Sequence, residues 1–103
     1  MNLEKIRDLL LSTGLPVAYR CFPIKEAPPL PYICYIVLNS DNFSADGTVY
    51  TKIDRVQIEL YTREKDVEAE TKVENVLSLL FWQKVETYIE TEKCYQIAYE
   101  IEV

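Results

Sequence analysis

Apolar and polar positions along the chain separate it into seven segments. Leu3, Ile6, Leu9 and Leu10 share one face of a helix that Asn2 is suited to cap. Gly14 stands where a helix ends in a left-handed residue, and Pro16 prevents continuation. Val17 to Phe22 reads as a short strand. Pro23 to Pro31 lacks the N–H donors of a continuous ladder and is expected to be a loop or an edge. Tyr32 to Leu38 is an unbroken β-branched and aromatic run, the pattern of a strand covered on both faces.

Ser40 to Gly47 carries turn-forming chemistry with one aromatic, Phe43. Thr48 to Thr62 is strand-like, but its apolar phase changes. Val49 and Ile53 are odd-numbered, whereas Val56, Ile58 and Leu60 are even. A bulge near Asp54 and Arg55 is therefore expected, with a hairpin tip around residues 39–52 projecting past the core. Asp66 is placed to cap a second helix whose core stripe is Ala69, Val73, Val76, Leu77 and Leu80, ending at Phe81 and Trp82.

A final hairpin alternates on both strands. A three-residue loop, Thr91 to Lys93, would pair Ile89 with Tyr95 and Val85 with Tyr99. Glu86, Glu90, Glu100 and Glu102 would then share the solvent face. The order helix, strand, strand, long strand, helix, strand, strand implies an α+β fold, an antiparallel sheet with two helices packed on it and a projecting β-hairpin, in a single domain spanning residues 1–103.

Composition narrows the chemistry. The 103 residues contain no histidine, which removes Ser-His-Asp and Cys-His nucleophile pairs, imidazole bases and histidine-ligated metal sites. Only Gly14 and Gly47 are glycines, too few for a phosphate-cradling loop or dinucleotide fingerprint. Net charge is −6, and all of it lies in residues 53–103, where twelve acidic residues face six basic ones. Without a basic stripe, specific nucleic-acid binding is not expected.

Met1 to Lys5 lacks a signal-peptide pattern, and the apolar stretch Leu30 to Ser40 is too short to span a membrane. Cys21, Cys34 and Cys94 are widely spaced and read as small hydrophobes in a reducing cytoplasm. No metal or cofactor is expected. Asp41 and Asp46 are the tightest carboxylate pair in a loop, with no second catalytic part beside them. The acidic positions Glu68, Glu70 and Glu74 are expected to form a solvated helix face. Among the aromatics, Tyr35, Tyr95 and Tyr99 fit a core, and Phe43 and Tyr50 fit a contact with a partner.

Three stretches carry a resemblance: Ser40 to Asp46 continuing to Tyr50, Ile58 to Thr62, and Tyr88 to Gln96. In this order they resemble a family of small bacteriophage and prophage proteins, the tail-completion, tail-terminator or head–tail joining group of long-tailed phages. The resemblance runs from about Leu30 onward and is weaker over the first helix. It implies a non-enzymatic virion component that assembles with itself, often as a hexameric ring, in the host cytoplasm. The ring would sit at the head–tail junction between tail tube and connector proteins, with DNA passing through it. On that reading Asp41, Phe43, Asp46 and Tyr50 form the subunit or partner interface, and Glu86, Glu90 and Glu100 form an acidic surface lining the channel. A small cytoplasmic adaptor that binds one protein through a strand edge or a tyrosine-rich surface shares the same composition.

Overall fold

A computed structural model describes the backbone of residues 2–45 and 48–103, and their side chains except at 42–51. Helix α1, Leu3–Leu11, begins where Asn2 Oδ1 accepts a hydrogen bond from Lys5 N at 2.9 Å. Ile6 and Leu10 are fully buried, each worth roughly 1.5–3 kcal/mol of apolar transfer. Gly14 follows at φ +85, and a Cβ there would meet nothing within 4 Å, so its requirement is conformational and not steric. Strand β1 is shorter than the apolar pattern suggests, Val17–Tyr19, and Arg20 ends it at φ +67.

The proline-rich segment 20–31 carries the chain to β2, Tyr32–Ala45, which runs parallel to β1 with Val17 opposite Ile33. The expected all-antiparallel sheet is thereby corrected to a mixed one. A parallel neighbour needs a connection of about a dozen residues, and this segment supplies it. Strand β3, Thr48–Thr62, returns antiparallel to β2. After helix α2, Val67–Val76, strands β4, Trp82–Ile89, and β5, Cys94–Glu102, form the last hairpin. The sheet order is β1-β2-β3-β5-β4, so β4 is an outer edge.

One face of the sheet carries the core. Ile33, Tyr35, Val56, Ile58, Leu60, Ile97, Tyr99 and Ile101 are buried with Ile6 and Leu10 of α1 and Ala69 and Val73 of α2. Tyr35 and Tyr99 meet expectation, but Tyr95 is only half-buried and stacks edge-on against Tyr88. Helix α2 starts at Asp66 as its cap, Oδ1 accepting from Ala69 N at 3.0 Å. It stops at Val76, earlier than its apolar stripe, and Leu77 is buried from the following turn while Trp82 already belongs to β4.

The ladder between β2 and β3 slips twice. Its first slip, between Val37 and Asn39, leaves Leu38 as the extra residue opposite the step from Arg55 to Val56. The expected irregularity is thus at the expected rung but on the other strand, so β3 keeps one phase there and Ile53 falls on the face opposite Val56. Its second slip makes Tyr50 the extra residue, in β3. Arg55 is the last β3 residue with a partner in β5, and Asp54 still exchanges backbone hydrogen bonds with Val103 at 2.8 and 2.9 Å. Beyond it, among the described residues, only β2 and β3 remain paired, Asp41 to Ala45 with Thr48 to Ile53. This two-stranded arm gives the chain its 51 Å length against widths of 28 and 22 Å. Strand pairing runs through Ser40 to Ala45, where a turn was expected.

The β4–β5 register is a further correction. Ile89 pairs with Cys94 and Val85 with Ala98, because the connecting turn holds four residues, 90–93, closed by Lys93 at φ +51. Every β4 side chain is therefore on the face opposite to that inferred from its alternation. Trp82, Lys84, Glu86 and Tyr88 lie on the helix face, and Val85 lies on the other.

Candidate functional site

The arm is anchored by Arg55. Its guanidinium lies 3.3 Å from Asp41 Oδ2 and 3.3 Å from Glu102 Oε1, and donates to Asn39 Oδ1 at 3.5 Å. Strands β2, β3 and β5 are tied together at the arm's root by these contacts. All three charged groups are well exposed, so the ties orient the arm more than they stabilise it. Of the residues expected at an interface, Asp41 is thus held at the root. Phe43 is paired with Thr51 along the arm's backbone and Tyr50 sits at the bulge, while Asp46 lies outside the described residues.

The sheet face away from the helices carries a cross-strand polar chain. Gln96 Nε2 donates to the Tyr61 hydroxyl at 3.0 Å. That hydroxyl donates to Glu59 Oε1 at 2.9 Å, and Gln57 Nε2 donates to Glu59 Oε2 at 2.7 Å. Burial, reinforced by Glu59, holds the Tyr61 hydroxyl well above the ordinary tyrosine range, against the pull of the Gln96 bond. At one end the proline-rich segment folds over this face and borders an open cleft of about 450 Å³, lined among others by Phe22, Tyr32, Tyr61 and all three cysteines. Cys34 and Cys94 are buried, as small hydrophobes should be, whereas Cys21 is exposed. Burial, aided by the Glu59 charge, pushes the Cys34 thiol up to about 11, which keeps it protonated and unreactive near neutral pH.

On the helix face the structure builds a charge cluster that the periodicity of α2 does not announce. Glu70, expected in a solvated stripe, is only 3% exposed. Lys65 Nζ lies 2.7 Å from its Oε2, and Lys84 Nζ lies 3.1 Å from its Oε1. Lys65 also meets Glu86 at 2.6 Å, and Lys84 meets Glu74 at 2.8 Å. The Tyr99 hydroxyl donates to Glu74 at 2.7 Å. Burial opposes ionisation of Glu74, but the bonds from Lys84 and Tyr99 prevail and hold its carboxyl below the usual range. Burial first, and Glu74 second, push the Tyr99 hydroxyl far above its own. The cluster clamps α2 to the edge strand. Neither lysine is signalled by the sequence: Lys65 precedes the helix and stands five residues from Glu70, off the three- and four-residue spacings, and only the register brings Lys84 under α2.

The acidic surface expected from Glu86, Glu90 and Glu100 is not one surface. Glu86 lies on the helix face against Lys65, Glu100 lies on the opposite face, and Glu90 is in the connecting turn. Among the described residues, no group of three or more Cys, Asp or Glu is placed to hold a metal ion. No helix among them is long and apolar enough to cross a membrane.

Compared with models of known protein families and with curated proteins, the sequence matches none. Among solved structures, the fold is similar to that of a chain in the virion of a native gene transfer agent (GTA) particle. The TM-score is 0.62 at 13% sequence identity, covering 97% of this chain and 85% of that one. At this identity the likeness is one of fold.

Proposed function

We propose that the chain is a non-enzymatic structural component of a phage-like virion, acting at the head–tail junction as a subunit of a ring that completes the tail or joins it to the connector. One observation carries this reading: the likeness in fold to a virion chain extends over 97% of the residues. The arm supports it, because a two-stranded ribbon whose backbone leaves the rest of its sheet beyond Asp54 is free to be met by a neighbouring subunit.

In the ring, contacts are heterologous: the arm of one subunit packs on the sheet or helices of the next. Asp41, Phe43, Asp46 and Tyr50 supply that contact. Glu86 is committed to Lys65 and Glu90 lies in the turn at the far end of the hairpin, so of the three carboxylates Glu100, on the open face, is the one offered to the DNA channel. Its repulsion of the DNA backbone disfavours adhesion there.

Gold labelling of an epitope-tagged chain in purified particles tests the placement. Label at the neck is the expected result, and label confined to the distal tail or absent from particles contradicts it. Phe43→Asp combined with Tyr50→Asp tests the contact. Loss of joined particles is expected, and undiminished assembly would remove the arm from the interface.

A further inference from the structure

Strand β4 is an outer edge, and a regular edge of eight residues is a template for another strand. Two of the usual protections, proline and a bulge, are missing from it. Its one lysine, Lys84, is turned onto Glu70 and Glu74 of α2 and away from the edge. Large apolar groups are left in the open along it, Val85 at 64% and Tyr88 at 42%, and Phe81, the residue just before it, is 99% exposed.

The segment also reads as a palindrome in chemistry about Val85. Moving outward from that residue, Lys84 balances Glu86, Gln83 balances Thr87, Trp82 balances Tyr88, and Phe81 balances Ile89. Antiparallel pairing of two identical strands about a two-fold axis places each residue opposite its mirror position. Directly opposed residues must also point to the same face, so the axis has to pass through a residue and not between two. Near the middle of β4 that leaves three choices. Centring on Lys84 opposes two lysines, and centring on Glu86 opposes two glutamates, both unfavourable. Centring on Val85 places Lys84 against Glu86 twice, joins the two valines, and sets Trp82 against Tyr88 and Phe81 against Ile89.

We propose that two copies of this chain associate through antiparallel β4–β4 pairing centred on Val85, forming one continuous sheet of ten strands. The helix face then gains an unbroken line of alternating charge, from Lys65 to Glu86 to Lys84 of the second copy and on to that copy's Glu74. On the other face the two exposed valines, Val85 from each copy, are covered against one another. The pairing is isologous and closes at two copies. It does not rest on the virion reading, and the outcome below leaves that reading where it stands.

Analytical ultracentrifugation of the full chain at micromolar concentrations is the test, with Val85 as the probe because it is exposed and touches neither the core nor the charge cluster. The parent chain should sediment at twice its 12.0 kDa mass. Val85→Lys and Val85→Glu should each weaken dimerisation by about tenfold or more, since each opposes like charges across the axis. Mixing the two variants should restore the dimer, because Lys then meets Glu. A parent chain that stays monomeric overturns the proposal. So does a dimer that survives both single substitutions, or a mixture that dimerises no better than its components.

Discussion

Glu70 is a buried carboxylate held by two lysines that are themselves partly in water, with side-chain exposures of 4%, 48% and 38% for Glu70, Lys65 and Lys84. That asymmetry dictates an unusual pattern of mutational cost. Lys84→Met leaves Glu70 paired to Lys65 at 2.7 Å, and Lys65→Met leaves it paired to Lys84 at 3.1 Å. In each single variant the buried charge keeps a partner, and only a partly solvated ammonium contact is lost, so the destabilisation is small. The double variant strands the carboxylate. Breaking a buried pair so that one charge is left uncompensated costs about 3–5 kcal/mol.

For a chain of this size that corresponds to a fall in Tm of more than about 12 °C. The expected result is therefore strong non-additivity, the double variant losing far more than the two singles combined. Adding Glu70→Met to the double variant should recover most of the loss, because no charge then remains in the apolar site. Thermal and urea unfolding followed by circular dichroism measure all four variants. A double variant equal to the sum of its singles, or a triple variant no more stable than the double, would refute the clamp.

Two further predictions concern titratable groups. Glu74 has its carboxyl held below its ordinary 4.5 in the folded chain, so the stability it contributes is present above that value and is lost as pH falls through the lower folded one. The stability gap between the parent and Glu74→Gln should accordingly be widest near neutral pH and shrink on acidification below about 4.5; a gap independent of pH would contradict the assignment. In a thiol-alkylation time course on the native protein, Cys21 should react quickly, while Cys34 and Cys94, buried and with raised thiol ranges, should react only on unfolding. Three equally fast thiols would show that the cleft wall opens readily.

Local features of the fold were legible, and long-range register was not. Asn2 and Asp66 announce their helices because capping depends on residues three positions away. The order of elements follows from periodicities within each segment. Strand β4 misled for a physical reason. On an edge strand, long charged side chains can cover the rim of the core, so Lys84 and Glu86 occupy the helix face while Val85 looks outward. An apolar alternation there does not mark the buried phase.

Glu70 escaped for a related reason. Its burial depends on Lys84, fourteen residues away, and that pairing exists only once the four-residue turn sets the hairpin register. Leu38 gave no sign of its bulge because it ends an uninterrupted apolar run, in which no phase can be seen to change. The parallel placement of β1 was equally hidden, since a three-residue strand reads the same in either direction. At the candidate interface, the projecting arm was legible from the phase change in β3, whereas the anchoring of Asp41 by Arg55 needed the ladder.

The assignment to virion assembly is tested most directly by deleting the gene from the genome that encodes the chain and imaging the particles by negative-stain electron microscopy. A junction protein predicts filled or empty heads lying apart from tails, or tails of uncontrolled length, with normal particles restored by the full-length chain. Particles of normal length and joining in the deletion strain would contradict the account.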